Sequence, residues 1–196
     1  MGSKTKSAFF LKFVFFVLVT LALGTNARAE INIGPFLGYE AATSDTGTTK
    51  SSSTTTSLNL LLGYRFDFDL YLGLLYDYSA IRSVSEAGGA TSTTNSRFSA
   101  YGPGLGYKSG GFFALVHYLT EPRLDVETGS ITTYRGGTGL QFDIGYAFPL
   151  SSVFRLGLDL RHISYSFKKS ESPSLNATID QKLTSTDLLA AMWFEF

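Results

Sequence analysis

A histidine and a serine stand two positions apart near the C-terminus, in the stretch His162-Ile163-Ser164. In a β-strand, residues two apart lie on the same face, so the imidazole and the hydroxyl are neighbours. A histidine beside a serine can take its proton and make it a nucleophile for acyl transfer. Such a base needs an acidic group to orient it, and Glu171 is the candidate in the segment that follows. The alternative is a histidine whose polar tip reaches water at the edge of an apolar surface.

Charged residues that alternate with apolar ones are the second candidate for chemistry. The set comprises Glu40, Arg65, Asp77, Arg135, Asp143, Arg155, Asp159, Arg161, Asp187 and Glu195. If their strands close into a narrow barrel, these side chains face its lumen, where an unpaired charge is costly. We therefore expect an ion-pair network in the lumen. It either plugs the barrel, because eight strands enclose a space that side chains largely fill, or lines a narrow, porin-like pore for small solutes or ions.

The sequence offers little else that could bind a cofactor or a metal. It contains no cysteine, and alternation places His117 and His162 on opposite faces, so we expect no metal site. No glycine-rich loop leads into a helix to hold a phosphate, so we also expect no cofactor. Four of the 16 basic residues lie within residues 1–29 and no acidic residue does, so the remainder has an excess of acidic residues. This balance argues against a nucleic-acid partner.

The elements that carry these residues have a period of two and the length of tilted barrel strands. Their approximate ranges are 31–40, 57–67, 70–81, 96–107, 112–121, 132–147, 153–166 and 183–196. Long connections, at about 41–56, 82–95, 122–131 and 168–182, alternate with short turns. The predicted fold is all-β: an eight-stranded antiparallel up-and-down transmembrane β-barrel with short periplasmic turns and long extracellular loops.

The apolar faces of the strands carry leucine and aromatic residues and almost no charge. In the third strand, for example, Leu70, Leu72, Leu74, Tyr76 and Tyr78 share one face. The sixth strand is expected to place Tyr134 outward and Arg135 inward. A soluble eight-stranded barrel such as a lipocalin would instead turn its apolar faces inward and its charges outward. The distribution of charge favours the membrane barrel.

The two ends of the chain have targeting features. Residues 1–29 combine three early lysines, an apolar run and the small-residue stretch Ala27-Arg28-Ala29, which predicts a cleaved signal peptide and a mature barrel domain over residues 30–196. At the other end, alternate residues form one apolar face that ends in an aromatic residue: Leu188, Ala190, Met192, Phe194 and Phe196. This face resembles the C-terminal signal by which bacterial outer-membrane proteins are recognised for assembly.

The first long connection, 41–56, is serine or threonine at 11 of its 16 positions. Such a composition cannot bury a core, so we expect the long connections to be mobile. They are either solvated caps without a ligand or the parts that contact a surface, a phage or a host protein.

The whole mature chain resembles the small eight-stranded outer-membrane proteins of the OmpA, OmpX and OmpW kind, without a periplasmic domain. The resemblance rests on the signal peptide, the strand pattern and the terminal Phe196. It implies a location in the bacterial cell outer membrane, contact with membrane lipid and lipopolysaccharide, and recognition by the outer-membrane assembly machinery.

A second resemblance covers only a few residues. His162 and Ser164 resemble the His-x-Ser motif of the lipid A deacylases, which are also small outer-membrane barrels and would imply a membrane hydrolase. That family continues with asparagine, whereas Tyr165 follows here. The function we expect first is therefore a structural or surface-interaction role without catalysis, followed by a narrow channel and then by the hydrolase.

Overall fold

The computed structural model describes residues 30–46, 49–173 and 175–196. The signal peptide predicted over residues 1–29 lies outside the described residues. The described chain forms nine strands: β1 Glu30–Asp45, β2 Thr49–Arg65, β3 Leu70–Ala87, β4 Ala90–Ser109, β5 Phe112–Thr128, β6 Ser130–Arg135, β7 Thr138–Pro149, β8 Phe154–Glu171 and β9 Asn176–Glu195. No described helix is long and apolar enough to cross a membrane.

Antiparallel pairing joins the strands into a closed ring. Each strand from β1 to β5 pairs with the next, β5 pairs with β7, β7 with β8 and β8 with β9. The last strand, β9, returns to pair with β1. The barrel wall thus has eight positions, because β6 and β7 occupy one of them in succession, and the predicted eight-stranded up-and-down barrel is confirmed.

The sixth wall strand is divided by a glycine pair that changes which residues face inward. Gly136 and Gly137 have positive φ angles of 65° and 148°, conformations that residues with a side chain rarely adopt. Before this break, Tyr134 points inward and packs against Phe167, with their ring centroids 6.3 Å apart. The prediction that Tyr134 faces outward and Arg135 inward was wrong, because it assumed unbroken alternation through the glycine pair.

The described parts of the four long connections are mostly paired strands and not irregular loops. The strands β1 and β2 remain paired from Glu30 and Arg65 out to Asp45 and Lys50, and β3 and β4 remain paired out to Ala87 and Ala90. The expectation of loops was wrong because serine and threonine, although too polar for a core, suit a strand exposed on both faces. We call this side the hairpin end of the barrel, and the opposite side, with both described termini, the short-turn end.

Aromatic rings fill the barrel near the short-turn end. Trp193 lies 5.2 to 5.8 Å, between ring centroids, from three other aromatic rings, those of Phe36, Tyr71 and Phe113. All four side chains are buried. Glycines on neighbouring strands leave the space: a Cβ added to Gly63 would lie 2.3 Å from the ring of Tyr71. We call the four aromatic residues, Phe36, Tyr71, Phe113 and Trp193, the aromatic layer.

The outer surface is apolar over a continuous band. Leucines and aromatic residues at alternate positions are exposed, for instance Leu62 at 51%, Leu105 at 57% and Leu158 at 58%. A folded soluble domain rarely exposes so large an apolar area, whereas a barrel in lipid requires it.

The pairing between β1 and β9 is interrupted and spans few residues. It begins with two backbone hydrogen bonds between Ile31 and Phe196, of 2.9 and 3.0 Å, and its last pair is Leu37 with Ala190. By the alternation of antiparallel pairing, odd-numbered residues of β1 direct their backbone groups towards β9. Pro35 is one of them and has no N–H to donate, which matches the interruption of the pairing around it. We call this line the β1–β9 seam.

Candidate functional site

The predicted lumen residues fall into separate groups at different depths. At the short-turn end, Lys108 Nζ donates to Glu195 Oε1 over 2.6 Å and also to Asn32. Arg155 Nε donates to the second oxygen of the same carboxylate over 2.8 Å. Lys108 also lies 4.1 Å from the centroid of a Trp193 ring, so this group rests directly on the aromatic layer. The result is a charged lid over the aromatic rings.

Arg65 belongs to the rim of the same end. Its guanidinium contacts Glu30 at 2.8 Å and Asp69 at 3.3 Å, and all three side chains are partly exposed. Asp69 stands in the turn after β2 with a φ of 63°, where its backbone N–H donates to Phe66. Arg65 therefore ties the start of β1 to the first short turn.

Further inside, the buried side chain of Arg161 is the centre of another group. Its side chain is only 2% exposed, and it contacts Asp77 at 3.2 Å and Asp187 at 2.7 Å. Tyr165 donates its hydroxyl to the other oxygen of Asp77, and Ser185 donates to the other oxygen of Asp187 over 2.7 Å. The guanidinium thus joins β8 to β9 and, across the lumen, to β3.

A second buried group surrounds Asp143 on β7. Asp143 accepts hydrogen bonds from the Gln141 amide at 2.8 and 3.0 Å, and lies 3.0 Å from His117 Nδ1. Asp159 is also fully buried and experiences the charges of Asp143 and Arg161. Among the described residues, neither Asp159 oxygen meets a donor in hydrogen-bonding geometry.

Two residues of the predicted network lie outside the lumen. Arg135 is exposed in β6 and pairs with Glu171 at the hairpin end, because the glycine break turns it outward. Glu40 occupies an inward-facing position of β1, but it lies beyond the part of the barrel that side chains fill, and it is exposed. The single network expected from the sequence is therefore divided into local groups, with these two residues outside them.

Sequence reasoning missed several partners in these groups. Lys108 falls in the short turn between the predicted strands 96–107 and 112–121, although the alternation of Gly102, Gly104 and Gly106 indicates that it faces inward. Asn32 and Gln141 lie within predicted strands, but an uncharged amide gives no sign of its hydrogen-bond partner in a sequence. Tyr165 was treated only as a departure from a motif.

The proposed catalytic pair lies on the outer surface. Both His162 and Ser164 are exposed, and His162 Nδ1 is 2.8 Å from the hydroxyl of Thr186 on β9. Glu171 stands nine positions further along the strand direction, about 30 Å away at the rise of an extended chain, and is paired with Arg135. The acidic partner that a serine nucleophile requires is thus not supplied by Glu171.

The terminal residues 188, 190, 192, 194 and 196 share the outward face of β9. Leu188 and Phe196 are each 64% exposed, and Phe194 packs against Phe154 of β8 with the ring planes tilted and the centroids 5.0 Å apart. Among the described residues, no group of three or more histidine, aspartate or glutamate side chains is arranged to hold a metal ion.

A closed antiparallel barrel with an apolar exterior and ion pairs inside is the construction of an outer-membrane β-barrel, and by fold and surface this protein is one. No protein-family model and no curated protein sequence matches the chain.

Solved structures that are similar to the chain include the following three. The crystal structure of Neisserial surface protein A is 15% identical, with a TM-score of 0.48, over 88% of this chain and all of that one. The translocator domain of the autotransporter NalP from Neisseria meningitidis is 12% identical, with a TM-score of 0.35, over 98% of each chain. The β domain of the Bordetella autotransporter BrkA is 8% identical, with a TM-score of 0.30, over 86% of this chain and 97% of that one. Likenesses this distant do not establish a common function.

Proposed function

We propose that the protein is a non-conducting outer-membrane barrel that supports the cell envelope and contacts the outside through its four hairpins. The observation that carries this proposal is the filling of the lumen. Trp193, Phe113 and Arg161 are each no more than 2% exposed although they point to the centre of the barrel. A continuous water path for ions requires exposed polar surface at every depth.

Two kinds of obstruction support a silent barrel. The aromatic layer excludes water at the short-turn end, where any ion would lose its hydration without a replacement. The pairs of Arg161 join strands on opposite sides of the lumen. Moving Arg161 aside to admit an ion would leave Asp77 as a buried, unpaired charge, which is costly.

The hairpins support the surface role. They project regular rows of hydroxyl groups across β1 to β4, such as the register row Ser44, Ser51, Ser85 and Ser92. Paired strands hold their side chains at a regular spacing, so a partner that contacts them has less chain to order than with an unpaired loop. In this proposal, membrane lipid and lipopolysaccharide surround the band below the hairpins, and the assembly machinery recognises the terminal strand.

Single-channel recording across a planar bilayer tests the proposal. The refolded protein, its fold verified by heat-modifiable gel mobility, should leave the bilayer silent. Steady openings from the folded protein would overturn the proposal and support the narrow channel. A comparison variant, Trp193→Ala with Phe113→Ala, removes half of the aromatic layer but leaves the pairs of Arg161 in place, so it should also leave the bilayer silent.

A further inference from the structure

The β1–β9 seam is paired over only part of its length. The last pair is Leu37 with Ala190, although β1 continues to Asp45 and β9 begins as early as Asn176. Within the described parts of the two strands, the pairing of β1 with β9 does not continue beyond Leu37 and Ala190. The barrel wall is thus interrupted at its hairpin end.

A cleft of about 360 Å³ lies at this interruption. Its floor is the side chain of Leu189, which occupies the space above Gly38: a Cβ added to Gly38 would meet Leu189 Cδ2 at 2.3 Å. Glu40 and Thr55 line the cleft on one side, and Asp187 lines it on the other.

The cleft lies at the border of the apolar band that is nearer the hairpin end, because its lining includes Tyr39 and Leu188. Tyr39 and Leu188, which flank it, are 74% and 64% exposed. They are the last large apolar side chains on the outward faces of their strands, since the next outward positions are Ala41 and Thr186. A molecule held in the outer leaflet can therefore reach the cleft sideways, with its apolar part still in contact with the band.

The cleft is acidic. Among the described residues, Glu40 forms no ion pair, and no lysine or arginine lines the cleft. Asp187 is bound by Arg161 from inside the barrel. The same guanidinium also forms an ion pair with Asp77. The carboxyl groups of Asp143 and Asp159 lie at the same depth in the barrel as this guanidinium. The positive charge beneath the cleft is therefore shared among several carboxyls.

From this combination of a lateral opening, an apolar rim and a carboxylate that forms no ion pair among the described residues, we propose that the cleft binds the cationic head of a single-chain amphiphile from the outer leaflet. The ammonium group lies between Glu40 and the hydroxyl of Thr55, and the alkyl chain runs down the outer surface along Leu37 and Leu188. An anionic or uncharged head lacks the attraction to Glu40. The proposal does not depend on whether the lumen conducts.

Nuclear magnetic resonance titration of the barrel in nanodiscs tests the proposal with three probes. Dodecyltrimethylammonium carries both head and chain, tetramethylammonium only the head, and dodecyl maltoside only the chain with a neutral head. We expect saturable shifts of the Glu40 and Thr186 amide signals with the first probe and no saturation with the other two. Equal binding of dodecyl maltoside would overturn the cationic specificity, and equal binding of tetramethylammonium would overturn the role of the chain.

Two variants locate the site. Glu40→Gln should weaken dodecyltrimethylammonium binding about fivefold, the effect of losing one partly exposed ion pair. Glu127→Gln, which removes an exposed carboxylate on a different hairpin, should leave binding unchanged. Equal effects of the two substitutions would show that the ammonium responds only to overall charge, contrary to the proposal.

A disulfide across the seam provides a test within one protein. Tyr39 and Leu188 flank the cleft on opposite strands, so a disulfide between these positions would draw the two strands together across it, and the chain has no cysteine of its own. The Tyr39→Cys, Leu188→Cys double variant should bind the probe when reduced and lose saturable binding when the disulfide has formed, as verified by mass spectrometry. Unchanged binding after the disulfide has formed would overturn the proposal.

Discussion

Gly104 on β4 lies directly beneath the imidazole of His117 on β5: a Cβ added to the glycine would stand 1.9 Å from His117 Cδ2. The two residues are register partners, and the hydrogen bond between His117 Nδ1 and Asp143 keeps the ring in place. The glycine is therefore required by the space that the ring occupies and not by its backbone conformation.

We predict that Gly104→Ala destabilises the barrel by about 1 to 3 kcal/mol, the usual cost of overpacking a core. The imidazole cannot move away without losing its bond to Asp143. Urea unfolding of the refolded protein in detergent measures the change. Gly34→Ala is the matched control, because its nearest neighbour is an aromatic carbon at 3.1 Å, so it should cost less. A larger loss for Gly34→Ala would contradict the role assigned to His117.

Arg161→Met should lower the free energy of unfolding by about 3 to 5 kcal/mol, because it leaves buried carboxylates without their partner. The additional change Asp77→Asn should restore part of the loss, since it removes one of those charges. Arg135→Met provides the comparison. Its pair with Glu171 is exposed and should contribute no more than about 1 kcal/mol. If the two arginine variants were equally stable in urea, the enclosed ion pairs would not stabilise the lumen.

Much of this arrangement follows from the sequence, and the remainder does not for identifiable reasons. Alternation predicts the strand count and the outward faces of β3 and β9, because a buried face and a lipid-exposed face differ in composition at every second residue. Alternation fails at Gly136 and Gly137, where the chain adopts a backbone conformation that glycine allows. Because of this break, Tyr134 faces inward and Arg135 faces outward. The aromatic layer could not be predicted from the sequence, because it depends on which glycine of one strand lies opposite which ring of another strand.

The hairpin formed by β5 and β6 should become less stable in acid. Burial by itself would raise the pKa of Asp125. Hydrogen bonds from Thr133 and Arg123 outweigh it and hold that pKa below its ordinary value. A carboxyl whose pKa is lowered by folding contributes its full stabilisation at pH values above its pKa in the unfolded chain, near 3.8. It loses that contribution as the pH falls through its pKa in the folded protein. Hydrogen exchange of the hairpin amides, measured from pH 6 down to pH 3, should show loss of protection. Asp125→Asn should remove most of this pH dependence.

Trp193→Ala should destabilise the barrel by about 3 to 5 kcal/mol, because it leaves a cavity between Phe36, Tyr71 and Phe113. It also deprives Lys108 of the ring on which its ammonium rests. Urea unfolding measures this loss. Phe148→Ala, at a side chain that is 63% exposed in the short-turn region, should have a small effect in the same assay.

Phe196→Ala should reduce accumulation of the protein in the outer membrane while the refolded barrel stays intact in detergent. The reason is that the Phe196 ring is exposed, whereas its backbone closes the barrel through two bonds to Ile31. Loss of the ring alone therefore affects recognition more than stability. Leu150→Ala, equally exposed at the same end, is the matched control. Normal accumulation of the Phe196 variant would show that the terminal ring is not part of the assembly signal.

The incomplete β1–β9 seam also determines how the molecule responds to mechanical force. Both described termini emerge at the short-turn end, so a pull on the two ends separates β1 from β9 one backbone hydrogen bond at a time, beginning at Ile31 and Phe196. Few such bonds follow, because Pro35 supplies no donor and the pairing stops at Leu37. Apart from the short contact between β6 and β8, which the pairing of β7 with β8 continues, every other described strand pair is longer. The first rupture under tension is therefore confined to one line, and the barrel opens into a curved sheet before any hairpin separates.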